Sequence, residues 1–218
     1  MPSSAHALVS AQVERLVGLG YPGLAGLSDA VFVDRLAPAL AAADALPEPA
    51  EHAPQTLDGH APVVLVVTRA LVRPEDTVPL LRLPGGRKPG VVDRNHSAGD
   101  LATYHPLPEL GVPALAAYLL VDVERGEEFC NVRPEDALPV IRERGRTPLT
   151  IDEGIALVTH HPGLLAKNKC FMLSGSRRDD RRVPALWISE SAPKLGWCWD
   201  GNPHSWLGVA SAAARQPT

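Results

Sequence analysis

The sequence predicts an α+β protein with an N-terminal helical segment, a central region of two β-α units and an antiparallel C-terminal layer. Apolar side chains recur at helical spacing near the N-terminus, two similar segments each follow a strand-like run, and three short strand-like pieces occupy the C-terminal third. Of the 218 residues, 45% are apolar and 21% are charged. This composition is typical of a globular protein with one large or two small domains.

Residues 1–46 are predicted to form a helical head. Helical spacing of apolar side chains runs from Leu8 to Val17 and indicates an amphipathic helix. Ser28 is placed to cap a second helix, which Pro38 is expected to bend or divide. The head should therefore form a separate layer.

Composition sets the remaining domain boundaries. Residues 47–61 contain three prolines among Ala, Glu, Asp and His, and are interpreted as a Pro-rich linker. Residues 62–212 are predicted to form the α+β domain, and residues 213–218 a tail.

Two apolar runs predict strands of the central region. Residues 62–68 are apolar and mostly β-branched at successive positions, which is typical of a central strand covered on both faces. Residues 117–123 predict a second strand. Gly126 is expected to take the positive-φ position of a hairpin that continues through residues 127–130.

An internal echo links these strands to helices. Residues 72–85 recur as residues 132–145, with eight of fourteen positions identical at a constant offset of sixty. In each copy Pro stands where a first helical turn accepts it, and Glu-Asp follows where the helix dipole favours anions. The echo predicts two β-α units from an internal duplication; the alternative is coincidence in a proline-rich chain.

The C-terminal part begins with a well-marked helix. Thr150 and Glu153 form a capping-box pattern, and the helix is expected to end at His160 and His161 before Pro162. Three strand-like pieces follow, at residues 170–173, 183–189 and 195–199. They predict the antiparallel layer.

All four tryptophans fall within twenty residues of the C-terminal part. On a strand, Trp197 and Trp199 share one face. Together with Trp206 they predict an aromatic wall for a ligand, with Asn202 and His204 supplying directional polar contacts. The alternative is that the indoles pack within the sheet.

A charged turn supplies the cations for the same predicted cleft. Residues 177–182 hold four arginines around two aspartates. The pattern is typical of a salt-bridged turn or of a loop that binds a phosphate or carboxylate. In the second interpretation Arg177 and Arg181 contact the ligand.

Glu153 and His160 are the candidate catalytic residues. They are seven positions apart, so they lie on one helical face two turns from each other and could flank a substrate as base and acid. The alternative is a hydrated helix face. No cofactor is identified, and no metal ligands are assigned, because the histidines and cysteines lack zinc-site spacing.

Charge and hydropathy exclude two kinds of partner. A formal net charge of −4 argues against binding duplex nucleic acid by phosphate neutralisation. No apolar run approaches the roughly 18 to 20 residues that span a bilayer, so no membrane partner is expected. Three widely spaced cysteines are typical of free thiols in a reducing compartment, and we expect a cytoplasmic protein.

Several motifs resemble an actinobacterial family known only as a domain of unknown function. The similarity covers roughly residues 60–212 and is most specific in the C-terminal half. It rests on residues 118–123, 126–131, 145–154, 182–189, 194–199 and 202–204. The resemblance implies a cytoplasmic single-chain protein and no particular activity.

The preferred functional hypothesis is binding, with or without chemical transformation, of a small aromatic or anionic molecule in a Trp/His/Arg-lined cleft. One alternative is a non-catalytic module that meets another protein, or a second copy of itself as a homodimer, through a Trp-rich face. A third is a metal-dependent hydrolase.

Overall fold

The computed structural model describes residues 3–46 and 59–218 and has a mixed α+β fold. The helices are α1 (Ser4–Gly18), α2 (Tyr21–Leu24), α3 (Asp29–Asp44), α4 (Pro74–Thr77), α5 (Pro134–Glu143) and α6 (Ile151–His160). The strands are β1 (His60–Val67), β2 (Val91–Val92), β3 (His105–Pro106), β4 (Ala117–Glu124), β5 (Thr147–Pro148), β6 (Cys170–Met172), β7 (Ser176–Arg177), β8 (Arg182–Ser189), β9 (Ala192–Trp199), β10 (Leu207–Val209) and β11 (Ser211–Gln216). The predicted fold class is confirmed. None of the described helices is long and apolar enough to cross a membrane.

The strands form two main sheets. The first has the order β1-β4-β11-β5 and is antiparallel throughout. The second has the order β10-β6-β8-β9-β2. Its centre is antiparallel, which confirms the predicted C-terminal layer, and a parallel strand lies at each edge. β3 pairs with β7 separately.

The helices form layers around the first sheet. On one face, α1 and α3 bury side chains such as Val9, Phe32 and Leu36 against Val63 and Leu65 of β1. The other face joins a core that continues through α6 into the second sheet. Nine of the ten residues of α6 are buried, as expected for a helix that is covered on all sides.

The helical head follows the sequence prediction closely. Ser28 caps α3 by accepting a hydrogen bond from the Val31 amide. α3 is not divided at Pro38, which lies inside the helix on its exposed side. Water can there satisfy the carbonyl of Asp34 that proline leaves without a partner.

β1 is an edge strand of the first sheet, so the prediction of a central strand is wrong. The side chains of β1 are covered on both faces, as the apolar run indicates. The unpaired backbone edge is covered by side chains: Gln12 donates to Val63 O (2.9 Å) and accepts from Leu65 N (2.6 Å). His160 also bonds Leu65 O, at 3.0 Å. An open sheet edge is thus closed without another strand.

The internal echo corresponds to a repeated local structure. Arg73 and Arg133 each precede a helix that begins with proline, and each guanidinium pairs with the aspartate three residues later. The copies then differ: α4 gives way after four residues to a 3₁₀ turn, whereas α5 continues to Glu143. Because β1 and β4 are antiparallel neighbours, their helices follow from opposite ends of the strand pair.

Three predicted boundaries change. Gly126 has a positive φ of 73°, as expected, but Glu127–Phe129 form a 3₁₀ turn rather than the second strand of a hairpin. Most of the predicted tail belongs to β11, which pairs with both β4 and β5. The end of the predicted linker, His60 and Ala61, begins β1; its residues 47–58 lie outside the described part of the chain.

Candidate functional site

The four tryptophans form two separate pairs. Trp197 and Trp199 on β9 make an edge-to-face contact with ring centroids 5.0 Å apart, and Trp187 contacts Trp206 in the same manner at 6.2 Å. In the β8-β9 register Trp187 lies opposite Lys194, three residues from Trp197, so the two pairs occupy opposite faces of the sheet. The shared face of Trp197 and Trp199 is confirmed, whereas Trp206 does not join their wall.

Asn202 and His204 also lie apart from the Trp197–Trp199 pair in their contacts. The His204 ring contacts Trp206 at 5.7 Å, and burial lowers the pKa of this imidazole. Asn202 is exposed and bonds Trp199 only through its backbone amide, at 3.0 Å. Neither side chain is shown to meet the predicted aromatic wall.

The two arginines predicted to bind a ligand are held by protein groups. Arg177 donates to the carbonyls of Ser174 and Ser176 and to the Asp200 carboxylate, at 2.6, 3.1 and 3.2 Å. Arg181 is exposed and pairs with Glu135 at 2.6 Å. For these two residues the salt-bridged interpretation of the charged turn applies.

The buried Glu153 carboxylate accepts several hydrogen bonds from neighbouring protein groups. It accepts hydrogen bonds from Tyr118 Oη (2.7 Å), from Arg215 Nε and Nη2 (2.6 and 2.9 Å) and from the Thr150 amide (2.6 Å). The capping box is therefore confirmed. Glu153 and His160 share the interior helix α6, and the structure does not place them on either side of an open cleft.

His160 is a structural donor to the edge of β1. Because the Leu65 carbonyl can only accept, Nε2 of His160 carries a proton, and the lowered pKa of this buried ring keeps it neutral near pH 7. Burial, assisted by the neighbouring His161 and Arg15, lowers the pKa of His160 to about 3. The side chain belongs to the fold rather than to a solvent-facing acid–base pair.

This neutral imidazole predicts a pH dependence of stability. Between about pH 6.5 and pH 3 the unfolded chain binds a proton at this histidine that the folded chain does not, so stability falls as pH is lowered. In His160→Gln, which keeps an N–H for Leu65, the loss of unfolding free energy between pH 7 and pH 5 should be about 2 kcal/mol smaller. Urea unfolding of both proteins at the two pH values measures it; equal losses would contradict the assignment.

A different set of residues surrounds the Trp197–Trp199 pair. The Arg182 guanidinium lies 4.3 Å from the centroid of Trp197 and 5.9 Å from that of Trp199, a cation–π arrangement. Trp197 Nε1 donates to the carbonyl of Asn95 at 3.4 Å. Through Asn95, the loop after β2 is joined to the end of β9.

That loop brings His96 and Tyr104 into the same region. Their rings meet edge to face at 5.8 Å, and the Arg178 guanidinium lies 5.5 Å from the Tyr104 centroid. Arg178 also approaches Asp100 at 3.6 Å. We call Trp197, Trp199, His96, Tyr104, Arg178 and Arg182 the arginine–tryptophan site.

Five buried polar atoms of the arginine–tryptophan site make no well-aligned hydrogen bond to the described residues, although His96 approaches the Gly196 backbone and Tyr104 approaches Arg178. They are Nδ1 and Nε2 of His96, Oη of Tyr104, Nη1 of Arg178 and Nε of Arg182. Buried polar atoms without partners are rare in folded proteins, and each requires an explanation such as bound water, an ion or a ligand. Here they come from separate parts of the chain and meet in one place.

Electrostatics fixes the charge state of this site near neutral pH. Burial lowers the pKa of His96, more than Gly196 and the nearby carboxylates raise it, so the imidazole is neutral. Burial raises the pKa of the Tyr104 phenol, which keeps its proton. The Ser97 amide, with Arg178, lowers the pKa of Asp100, which is ionised. The site thus combines two guanidinium groups, a phenol and a neutral imidazole with the nearby carboxylates of Asp100 and Asp180.

The comparison with known proteins identifies the family. The sequence profile of a family of unknown function, DUF5701, matches residues 15–218. The chain belongs to DUF5701. The resemblance seen in the sequence is thereby confirmed, and the match extends beyond it into the helical head and through β11. No curated protein and no solved structure shows significant similarity to this DUF5701 chain.

The sequence pattern did not point to the loop after β2 of this DUF5701 protein. Eight of the twelve residues from Asp93 to Tyr104 have side chains that are able to form hydrogen bonds. This density between Gly90 and Pro106 was the available signal. It could not show that the loop meets β9, because that contact depends on the parallel pairing of β2 with β9.

Within residues 3–46 and 59–218, no group of three or more His, Cys, Asp or Glu side chains is arranged to hold a metal ion. Cys130, Cys170 and Cys198 are free thiols, and burial raises the pKa of each one.

Proposed function

We propose that this DUF5701 protein binds a small anionic molecule with a planar ring at the arginine–tryptophan site. The observation that carries the proposal is the group of five buried polar atoms without a well-aligned hydrogen-bond partner on His96, Tyr104, Arg178 and Arg182. The proposal keeps Trp197 and Trp199 from the sequence prediction and assigns the histidine and arginine roles to His96, Arg178 and Arg182.

The anion is recognised by donors. Each guanidinium has an N–H without a well-aligned acceptor, the phenol has an O–H, and the neutral imidazole has one N–H, so the matching ligand group is rich in acceptors. A carboxylate accepts two parallel bonds from a guanidinium. Arg178 and Arg182 are held only at 3.2 to 3.6 Å by Asp100 and Asp180, which leaves these N–H groups available to a closer acceptor.

The planar ring is recognised by Trp199. This side chain is 44% exposed and stands beside Trp197, while Arg182 covers part of both rings. An aromatic ligand can stack on the exposed indole face, an interaction worth about 1–3 kcal/mol by analogy with base stacking on aromatic residues.

A titration with 2-naphthoate tests the proposal. Binding should appear as thermal stabilisation that grows with ligand concentration, by about 2.7 kcal/mol at 100 times the dissociation constant. Arg182→Gln and Trp199→Ala should each weaken binding about tenfold, because they remove the anion donor and the stacking surface.

Two matched variants control for loss of binding through misfolding. Arg181→Gln removes an exposed guanidinium one position away, and Trp206→Phe alters the other tryptophan pair. Both should bind 2-naphthoate with unchanged affinity. Equal loss in Arg181→Gln and Arg182→Gln, or no stabilisation by any aromatic carboxylate in a panel, would refute the proposal.

The exposure of Trp199 also favours a second candidate, a homodimer formed through this face. A dimer would bury the indole that now faces solvent. Light scattering after size-exclusion chromatography should then show twice the chain mass for the wild type and the single mass for Trp199→Ala. A monomeric wild type at high micromolar concentration would exclude the dimer.

We also infer that the protein acts in the cytoplasm. The inference is supported by its three free thiols, two of them buried, which are typical of a reducing compartment. Fusion of the chain to a fluorescent protein and microscopy of the cells would test it.

A further inference from the structure

A cleft of about 410 Å³ lies between the loop that follows β3 and the N-terminus of α6. Its volume falls within the roughly 300–1,000 Å³ of small-molecule sites. Pro106, Pro108, Val112, Pro113 and Leu115 form apolar walls, Tyr118 contributes to the floor, and Arg69 and Asp152 provide charge. We call it the proline cleft; no residue of the arginine–tryptophan site lines it.

The charges in the proline cleft neutralise each other. Arg69 donates from Nε and Nη2 to both carboxylate oxygens of Asp152, at 2.7 to 3.1 Å, and the Arg69 amide donates to the same group at 2.9 Å. Arg69 Nη1 donates to the carbonyls of Leu101 and Tyr104. Both side chains are therefore fixed, and the pair has no net charge to offer an anion.

One N–H group of Arg69 remains available beside Asp152. Of the five N–H groups of Arg69, four are used by Asp152 and the two carbonyls, and the second N–H of Nη2 bonds none of the described residues. Other polar side chains of the cleft are occupied: Thr68 Oγ1 donates to Leu115 O at 2.7 Å, and Tyr118 donates to Glu153.

We propose that the proline cleft binds a neutral, largely apolar small molecule that carries one hydrogen-bond acceptor for Arg69. The apolar walls contact the body of the molecule. The remaining guanidinium N–H donates a hydrogen bond to a carbonyl or ether oxygen of the ligand. A carboxylate is disfavoured because Asp152 lies on the same guanidinium. The arginine–tryptophan site has the opposite preference, because Asp100 and Asp180 approach its guanidinium groups only to 3.2 to 3.6 Å. The two sites are therefore separable by ligand charge.

Three naphthalene probes of similar size test this chemistry: 2-acetonaphthone, 2-naphthoate and 2-ethylnaphthalene. NMR titration should show 2-acetonaphthone shifting the amides of Ala70, Val112 and Ala114. Its affinity for the cleft should exceed that of 2-ethylnaphthalene about fivefold and that of 2-naphthoate at least tenfold. Equal affinities for the three probes, or shifts confined to other parts of the chain, would overturn the proposal.

Blocking variants locate the binding. Ala114 and Ala70 are small, exposed residues that line the cleft, so Ala114→Trp and Ala70→Trp should fill it without removing a buried contact. Each should weaken 2-acetonaphthone binding at least tenfold. Ala30→Trp, at an exposed position on α3, should leave binding unchanged. Undiminished binding in either folded blocking variant would place the probe elsewhere and overturn the assignment.

Discussion

Glu153→Ala should lower the free energy of unfolding by about 3–5 kcal/mol. Glu153 is fully buried and Arg215 nearly so, with side-chain exposures of 0% and 6%. The substitution leaves the Arg215 guanidinium buried without its carboxylate, and it removes the acceptor of Tyr118 and the second half of the α6 capping box. Urea unfolding followed by circular dichroism gives the value.

Two further variants test whether this loss of stability comes from the buried charge pair. Glu128→Ala breaks an exposed ion pair with Arg144 and should cost less than about 1 kcal/mol. The double variant Glu153→Leu with Arg215→Met should recover most of the loss, because it removes both buried charges together. If Glu153→Ala costs no more than Glu128→Ala, the interior network does not contribute as described.

Gly126→Ala should cost about 2–5 kcal/mol in unfolding free energy. A Cβ at this position would lie 2.0 Å from the Val209 carbonyl oxygen, and φ is +73°. The left-handed backbone alone costs an alanine about 1–2 kcal/mol, and the close approach to a neighbouring backbone adds a packing penalty of about 1–3 kcal/mol. β10 would have to move away from the turn.

Two other glycines separate these contributions. Gly145 has φ +69° and open space around it, so Gly145→Ala should show only the backbone cost of about 1–2 kcal/mol. Gly163 has neither a positive φ nor a nearby atom, and Gly163→Ala should change stability by less than about 0.5 kcal/mol. Thermal and urea unfolding would test this ranking, which any other order of the three variants would contradict.

Local chemistry explains which elements could be predicted from the sequence. The caps at Ser28 and Thr150 act within one helical turn, so residue types and spacing were enough to place the starts of α3 and α6. The internal echo likewise reflects a local Arg-Pro-Glu-Asp sequence that starts a helix in both copies.

Strand order depends on partners that are distant in sequence. An apolar run shows that both faces of β1 are covered, but not that Gln12 and His160 take the place of a neighbouring strand. β11 was missed because its small and polar residues, Ser211 to Gln216, carry little strand signal and depend on pairing with β4.

In the candidate site, too, local contacts were predictable from the sequence and contacts between distant segments were not. Strand alternation correctly grouped Trp197 with Trp199. It could not indicate that Arg182, and not Arg177 or Arg181, lies over them, since Arg182 is placed by its register opposite Trp199. His96 comes from a distant earlier segment, which is joined to β9 through β2 and Asn95.

The most direct test of the proposed function is NMR of the arginine and histidine side chains during addition of 2-naphthoate. Binding at the arginine–tryptophan site should shift the Nε–Hε signals of Arg178 and Arg182 and the imidazole signals of His96. Arg177 and Arg181, which are occupied by Asp200 and Glu135, should not respond. Saturable shifts at the first three residues are predicted; saturable binding that leaves all three unchanged would contradict the account.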